Sequence, residues 1–373
     1  MKFKSNVKKI GIDARFLGVT GKGLGRYAEQ LIKNLESQDS INEYIVFLTK
    51  NNWDSYAPKN KNFKKVLADF RWYSWQEQII FPYIILKHNI SLMHFLHFNV
   101  PLFCPTKFIM TVHDLILHRY PTRRASTLGP IKWIFKNIFY RIIFFVAIHR
   151  TKKIIAVSKF TKKDILSEFK LSSEKIVVIY EGSALKCGTA SYQDKLFSEK
   201  SFLYVGNAYP HKNLKLLIDA FCIFSKDFPD YQLLLVGQSD YFYERLKAYV
   251  ARKGIMSIVF LGALNDDELE KKYRMVMAVI LPSFYEGFGL VGVEALSLGV
   301  PVISANSTAL PEIFGQHALY FDPNQVNELV DKMQLLCQNQ SLRRSLVEGG
   351  FKHIGKYDWE KNAQKTIMVY NQV

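Results

Sequence analysis

Residues Leu281 to Asn306 read LPSFYEGFGLVGVEALSLGVPVISAN. The apolar run Val276–Leu281 ends in a turn containing Gly287 and Gly289, a helix is expected from about Leu290, and a second β-branched run follows at Val300–Ser304. Strand, turn, helix and strand in that order make a parallel βαβ unit. A helix N-terminus with bare amides attracts anions. Glu286 lies in the turn and Glu294 about a turn inside the helix, so both can face a ligand at the carboxyl end of the strand, where open α/β sheets bind ligands. For an arbitrary pair of glutamates a solvated loop residue and an exposed helix position are the default; the surrounding glycines shift the reading towards a site.

Outward from this unit the same alternation recurs. Further strand-like runs are Ile10–Ile12, Tyr44–Leu48, Phe108–Val112, Ile154–Val157, Ile176–Ile179, Phe202–Val205 and Leu233–Val236, with amphipathic helical stretches between many of them. That is the pattern of parallel sheets. Both halves open with a strand, a glycine-containing loop and a helix, IGIDARFLGVTGKGLGRYAEQLIKNL and then FLYVGNAYPHKNLKLLIDAF, a repeated architecture without repeated sequence. The polar stretch Ser183–Lys200 lacks an apolar period and reads as the linker. The expected division is therefore a Rossmann-like domain over 1–182, a linker over 183–200, a second Rossmann-like domain over 201–357, and a last helix over 358–373 capped by Asp358 that returns to the first domain.

Composition sets the limits. A chain of 373 residues with 49% hydrophobic content can bury two large cores. The four cysteines, Cys104, Cys187, Cys222 and Cys337, have no ligand-like spacing, which argues against a disulfide framework or a zinc site and for a reducing compartment. Basic residues at Met1–Lys9 run straight into the first strand and leave no room for a signal-peptide core, so a cytoplasmic location is expected. Fifty Lys plus Arg against 33 Asp plus Glu, a net charge of +17, calls for an anionic partner: phosphorylated substrates, an acidic membrane surface or nucleic acid.

YEGFGL, the E-x7-E spacing from Glu286 to Glu294 and the following GVPVISAN resemble the donor site of family 4 retaining glycosyltransferases (glycosyl transferases group 1). GKGLGRY near the start, VHDL at Val112–Leu115, AVSKFTKKDI at Ala156–Ile165 and VGNAYPHKNL at Val205–Leu214 match in the expected order, so the resemblance covers nearly the whole chain. It implies the GT-B fold, two Rossmann-like domains with parallel sheets facing a central cleft. It also implies transfer of a hexose from a nucleoside diphosphate sugar with retention of configuration, with no metal and no other cofactor required. GDP-mannose is favoured over UDP-sugars by the PHKN-type loop.

By the same resemblance the catalytic residues are His113, Lys212 and Glu286. The donor is held by Gly23, Gly25, Asn207, Lys212, Glu286, Gly287, Phe288, Gly289, Leu290 and Glu294. Family members often carry an Arg at the position of Asn207, so one of the two usual diphosphate-binding cations is replaced here by a hydrogen-bond donor. A helix beginning near Asn213 can add its N-terminal amides. Gly21, Gly23 and Gly25 precede a helix expected from about Arg26 and would let a phosphate or sugar approach the backbone. His113 follows a strand and is expected to touch the transferred sugar. A metal cluster of His94, His97, His113 and Asp114 is a competing reading that the family precedent disfavours.

The acceptor implied is a glycan or lipid-linked sugar of cell-surface polysaccharide or lipopolysaccharide synthesis. Gly129–Lys153 is apolar, aromatic and basic, but Lys132, Lys136 and Arg141 interrupt it, so it is not a bilayer-spanning helix. Docking on an anionic leaflet, with the protein peripheral to the membrane, and burial as a core helix both remain open for it. Two other functions compete: a GT-B-fold nucleotide-sugar epimerase or hydrolase, and a basic nucleic-acid-binding protein. Dispersed basic residues and the absence of any RNP, KH or zinc-finger pattern weigh against the second.

Overall fold

The computed structural model describes residues 7–18, 22–72, 74–120, 129–185 and 200–373. Most of the expected linker, 186–199, and Gly21 lie outside the described residues. Two compact units emerge, the first built on Met1–Arg119, Gly129–Gly182 and Asp358–Val373, the second on Ser183–Tyr357.

The first unit carries β1 (Lys9–Asp13), β2 (Glu43–Leu48), β3 (Phe63–Leu67), β4 (Leu92–Phe95), β5 (Lys107–Val112), β6 (Ile154–Ala156) and β7 (Ile176–Val178). They form one parallel sheet in the order β3-β2-β1-β4-β5-β6-β7. The second unit carries β8 (Ser201–Val205), β9 (Gln232–Val236), β10 (Ile258–Gly262), β11 (Ala278–Leu281), β12 (Val302–Ala305) and β13 (Leu319–Phe321). These are also all parallel, ordered β10-β9-β8-β11-β12-β13. Each sheet is doubly wound, and its strand order reverses once, between β1 and β4 in the first and between β8 and β11 in the second. Such a reversal opens a crevice beyond the carboxyl ends of the two strands.

Burial explains why the strands read as continuous apolar runs. Tyr44–Leu48 in β2 and all four residues of β11 are buried, because helices cover both faces of a parallel sheet. On one face of the first sheet Phe81 and Ile85 of helix Trp75–Lys87, with Tyr140, Phe144, Ala147 and Ile148 of helix Pro130–Arg150, close over Phe47, Phe95, Phe108 and Met110.

Helix Trp359–Gln372 lies against helix Lys22–Gln38. Asp358 caps it by accepting from the Glu360 amide at 2.6 Å. A buried polar chain ties it down: Tyr27 Oη to Thr111 Oγ1 at 3.2 Å, Thr111 Oγ1 to His94 Nε2 at 2.9 Å, and His94 Nδ1 to Tyr370 Oη at 2.7 Å. Burial first and the charge of His113 second push His94 down to about 3, so it stays neutral and serves this chain. Among the described residues no group of three His, Cys, Asp or Glu is arranged to hold a metal ion.

One boundary differs from the sequence reading. The first long helix begins at Lys22, not near Arg26, so Gly23 and Gly25 lie in its first turns and not in a preceding loop. Gly25 is needed for packing: a Cβ there would sit 2.1 Å from Gly18 O and 2.8 Å from Phe16 O.

Candidate active site

The crevice of the second sheet is formed by the segment after β8 and the segment after β11. Beyond β8 the backbone passes through Gly206 and Asn207 into a single 3-10 turn, Pro210–Lys212, and Asn213 takes a left-handed φ of 57° before helix Leu214–Asp227 starts. Asparagine tolerates that conformation better than most residues. Its Nδ2 donates to Pro323 O at 2.8 Å, which fixes the start of the helix. Asn207 is held from two sides, its carbonyl accepting from Tyr204 Oη at 2.7 Å and its Oδ1 from the Tyr209 amide at 3.2 Å.

Beyond β11 the chain is bound to this loop by the Phe284 amide, which donates to His211 O at 2.8 Å. The Lys212 ammonium then meets Glu286 Oε1 at 2.6 Å, with side chains only 17% and 15% exposed. Ser283 Oγ donates to the same carboxylate oxygen at 2.7 Å, and the Glu286 amide donates to Thr308 Oγ1 at 2.9 Å. Burial works to raise the Glu286 carboxyl, but the charge and hydrogen bond of Lys212, helped by Ser283, outweigh it and hold the group below the ordinary carboxylate range. His211 is driven the other way: burial and the neighbouring Lys212 push it down to about 4, so it is neutral. Lys212 and Glu286 thus face the crevice as a mutually paired cation and anion, largely out of water.

Gly289 (φ 97°) makes the sharp entry into helix Leu290–Ser297, and a Cβ there would meet Leu310 Cδ2 at 2.8 Å. Phe288 is buried with its ring edge-on to Tyr357, 5.4 Å between centroids. Gly287 is buried beside it, and Leu290, the first helical residue, is half-buried. Glu294 is 2% exposed, and its Oε2 accepts from Tyr273 Oη at 3.2 Å. It is therefore a buried, positioned carboxylate and not an exposed helix residue. A cavity of ≈ 440 Å³ beyond β12 and β13 includes Asp322 and Glu328, whose negative charges suit it poorly to a diphosphate.

The structure brings Lys212, Glu286 and Asn207 onto the two segments that line one crevice, while Gly23, Gly25 and His113 belong to the other unit. His113 follows β5 as expected. Its Nδ1 lies 2.9 Å from Glu181 Oε1 and its Nε2 2.9 Å from Leu96 O, and the Tyr27 ring stands edge-on to it. Carbonyl and carboxylate oxygens both accept, so both ring nitrogens donate and the imidazole is charged. Burial opposes that charge, but the hydrogen bond and charge of Glu181 overcome it and raise the His113 pKa. A sugar touching the ring would have to share or displace one of these partners.

Sequence reasoning missed Glu181, Ser283 and Thr308. Glu181 stands 68 residues from His113, a distance no local pattern bridges. Thr308 has a φ of 51°, a conformation its residue type does not advertise. Only Ser283, three residues before Glu286 and inside the quoted motif, could have been singled out.

Comparison with known proteins decides the family. The family description Glycosyltransferase Family 4 matches residues 21–185, and Glycosyl transferases group 1 matches residues 193–353. An uncharacterized glycosyltransferase of Methanocaldococcus jannaschii is 30% identical, over 94% of this chain and 95% of its own. The chain is a family 4 glycosyltransferase. The O-antigen chain mannosyltransferase B of Escherichia coli is 26% identical to this transferase over 93% of the chain and 95% of its own. A sucrose-phosphate synthase of Thermosynechococcus elongatus shares the transferase's GT-B fold, with a TM-score of 0.79, 19% identity and 98% of each chain covered. Family membership thus decides between an enzyme and a basic nucleic-acid binder in favour of the enzyme.

Proposed function

We propose that this transferase moves a hexose, mannose, from GDP-mannose to a glycan or lipid-linked acceptor in cell-surface polysaccharide synthesis, with retention of configuration, without a metal, and on the cytoplasmic side of the cell. The observation that carries the proposal is the Lys212–Glu286 pair at the strand-order reversal of the second sheet. Departure of a nucleoside diphosphate places negative charge on its terminal oxygen, and a charged lysine beside helix N-terminal amides stabilises that charge without a metal. Lys212 and the helix Leu214–Asp227 supply this pair of features. The Asn207 side-chain amide nitrogen adds a neutral donor where the family resemblance implies an arginine.

In this reaction the bond from the sugar's anomeric carbon to the donor phosphate oxygen breaks while the acceptor oxygen bonds to the same face. The acceptor proton passes to the departing phosphate oxygen, so no protein nucleophile is needed. Glu286, already ionised, accepts from sugar hydroxyls, and Glu294 orients the ribose from the helix behind it. Mannose is supported by the likeness to an O-antigen chain mannosyltransferase and by the Pro210-His211-Lys212-Asn213 loop. The test is thermal unfolding with GDP, UDP, GDP-mannose, UDP-glucose and UDP-N-acetylglucosamine, followed by product analysis with the donor that binds. A ligand at a hundred times its dissociation constant adds about 2.7 kcal/mol. A shift with the guanine nucleotides alone is expected; a shift with uridine nucleotides alone would overturn the mannose assignment, and free sugar released without transfer would point to the hydrolase.

A further inference from the structure

Two neighbouring helices of the first unit expose apolar side chains on the side turned away from their own sheet. On Trp75–Lys87 the inward residues are Phe81 and Ile85, yet Trp75, Ile79, Tyr83 and Leu86 point outward at 58–68% exposure. On Pro130–Arg150 the inward set is Tyr140, Phe144, Ala147 and Ile148, while Ile134, Phe135, Ile138, Ile142 and Phe145 are 49–70% exposed. Spacings of three and four residues put Trp75, Ile79, Tyr83 and Leu86 on one stripe and Phe135, Ile138, Ile142 and Phe145 on another, with Ile134 beside it. The loop between them carries Phe103, 78% exposed, and is fastened to both helices: the Leu102 amide donates to Gln78 Oε1 at 2.8 Å, and Arg150 Nη2 donates to Cys104 O at 3.0 Å.

A helix that is apolar all round is ordinarily buried all round. Both helices have used one side on the sheet and still present large apolar residues on the other. Aromatic side chains carry about 150–250 Å² each, so Trp75, Tyr83, Phe103, Phe135 and Phe145 alone present several hundred Å², the scale that marks an interaction surface.

Charge selects the occupant. Helix Pro130–Arg150 contains Lys136, Arg141 and Arg150 and no acidic residue, and helix Trp75–Lys87 ends in Lys87. The single acid on the two helices, Glu77, is fully buried and paired with Arg15 at 2.6 Å. Among the described residues the exposed charges on these two helices are therefore all positive beside an apolar surface, which fits anionic headgroups over acyl chains. Among the described residues no helix is long and apolar enough to cross a membrane, so the fit is to lying on the surface. We infer that the face formed by helices Trp75–Lys87 and Pro130–Arg150, with Phe103 between them, docks the protein on an anionic lipid bilayer.

The experiment is flotation of the full chain with vesicles of phosphatidylcholine alone or with about a third phosphatidylglycerol, at low and high salt. The vesicles hold no glycan acceptor and no nucleotide sugar is added, so the result is independent of the proposed reaction. Flotation with the anionic vesicles is expected, weakened by salt and reduced about tenfold or more by Phe135→Ser with Phe145→Ser. Outward side chains should leave folding intact, which the unfolding midpoint of the variant checks; Lys136→Glu with Arg141→Glu provides a second variant that spares the apolar surface and should abolish the preference for anionic lipid. Absence of flotation would overturn the inference. So would flotation indifferent to both variants, or a dimer in sedimentation that the same serine variants dissociate, which would assign the face to a second copy.

Discussion

Lys212 is neutralised by Glu286, and a diphosphate would compete with that carboxylate for the same ammonium. Removing the charge at 286 should therefore strengthen nucleotide binding while it weakens the empty protein. At 2.6 Å two unit charges attract by about 6 kcal/mol at an effective dielectric constant near 20. Desolvation takes back the larger part of that, and breaking one side of a largely buried pair leaves a net loss of about 3 kcal/mol. Glu286→Gln keeps an acceptor for Ser283 and leaves the amide bond to Thr308 untouched, so the lost term is electrostatic. Without the competing anion, GDP should bind tighter by about 1–2 kcal/mol, roughly 5- to 30-fold, even as turnover falls. Lys212→Met should weaken GDP by about 10- to 100-fold, the worth of a hydrogen bond to a charged group. Calorimetric titration of both variants and the double variant decides the matter, and coupling between the two sites is expected because they touch. Equal GDP affinity in wild type and Lys212→Met, or weaker binding by Glu286→Gln, would refute the assignment of Lys212 to the diphosphate.

Three further outcomes are expected. The raised pKa of His113 makes its pairing with Glu181 most stabilising below the unfolded histidine value near 6.5, and that contribution is lost as pH rises through the higher folded value. Urea unfolding of wild type against Glu181→Gln should show the wild-type advantage shrinking from pH 6 to pH 9, and a constant difference would mean the ring is not charged. Tyr370→Phe removes the partner of His94 Nδ1 and should cost about 1–3 kcal/mol, read as a lower unfolding midpoint of the first unit with GDP affinity unchanged. Gly25→Ala would drive a methyl group into Gly18 O and destabilise by about 1–3 kcal/mol; a neutral result would show that the segment Phe16–Gly18 yields easily.

Much of this fold was legible because its signals are local. Apolar runs such as Leu233–Val236 and Val276–Leu281, each followed by turn residues, mark strands buried on both faces, and Asp358 before Trp359 marks a helix start. The turn at Gly287–Gly289 and the helix from Leu290 followed from residue types alone, since Gly289 adopts a conformation that favours glycine. The start at Lys22 was misplaced because glycine is a poor helix former, and only the close approach of the Phe16–Gly18 backbone explains two glycines within the first turns.

Chain order alone carries the alternation of strand and helix, the family motifs, and the residue types available at Lys212, Glu286 and Glu294. The states of those residues come from folding. Pairing of Lys212 with Glu286 spans 74 residues, that of His113 with Glu181 68, and that of His94 with Tyr370 276. A pKa or a hydrogen-bonding role depends on what stands within a few ångströms, and chain folding, not chain order, sets that neighbourhood. The same holds for helix Pro130–Arg150: its periodicity left burial and membrane docking equally open, and the side it turned to the sheet showed that Phe135 and Phe145 face outward.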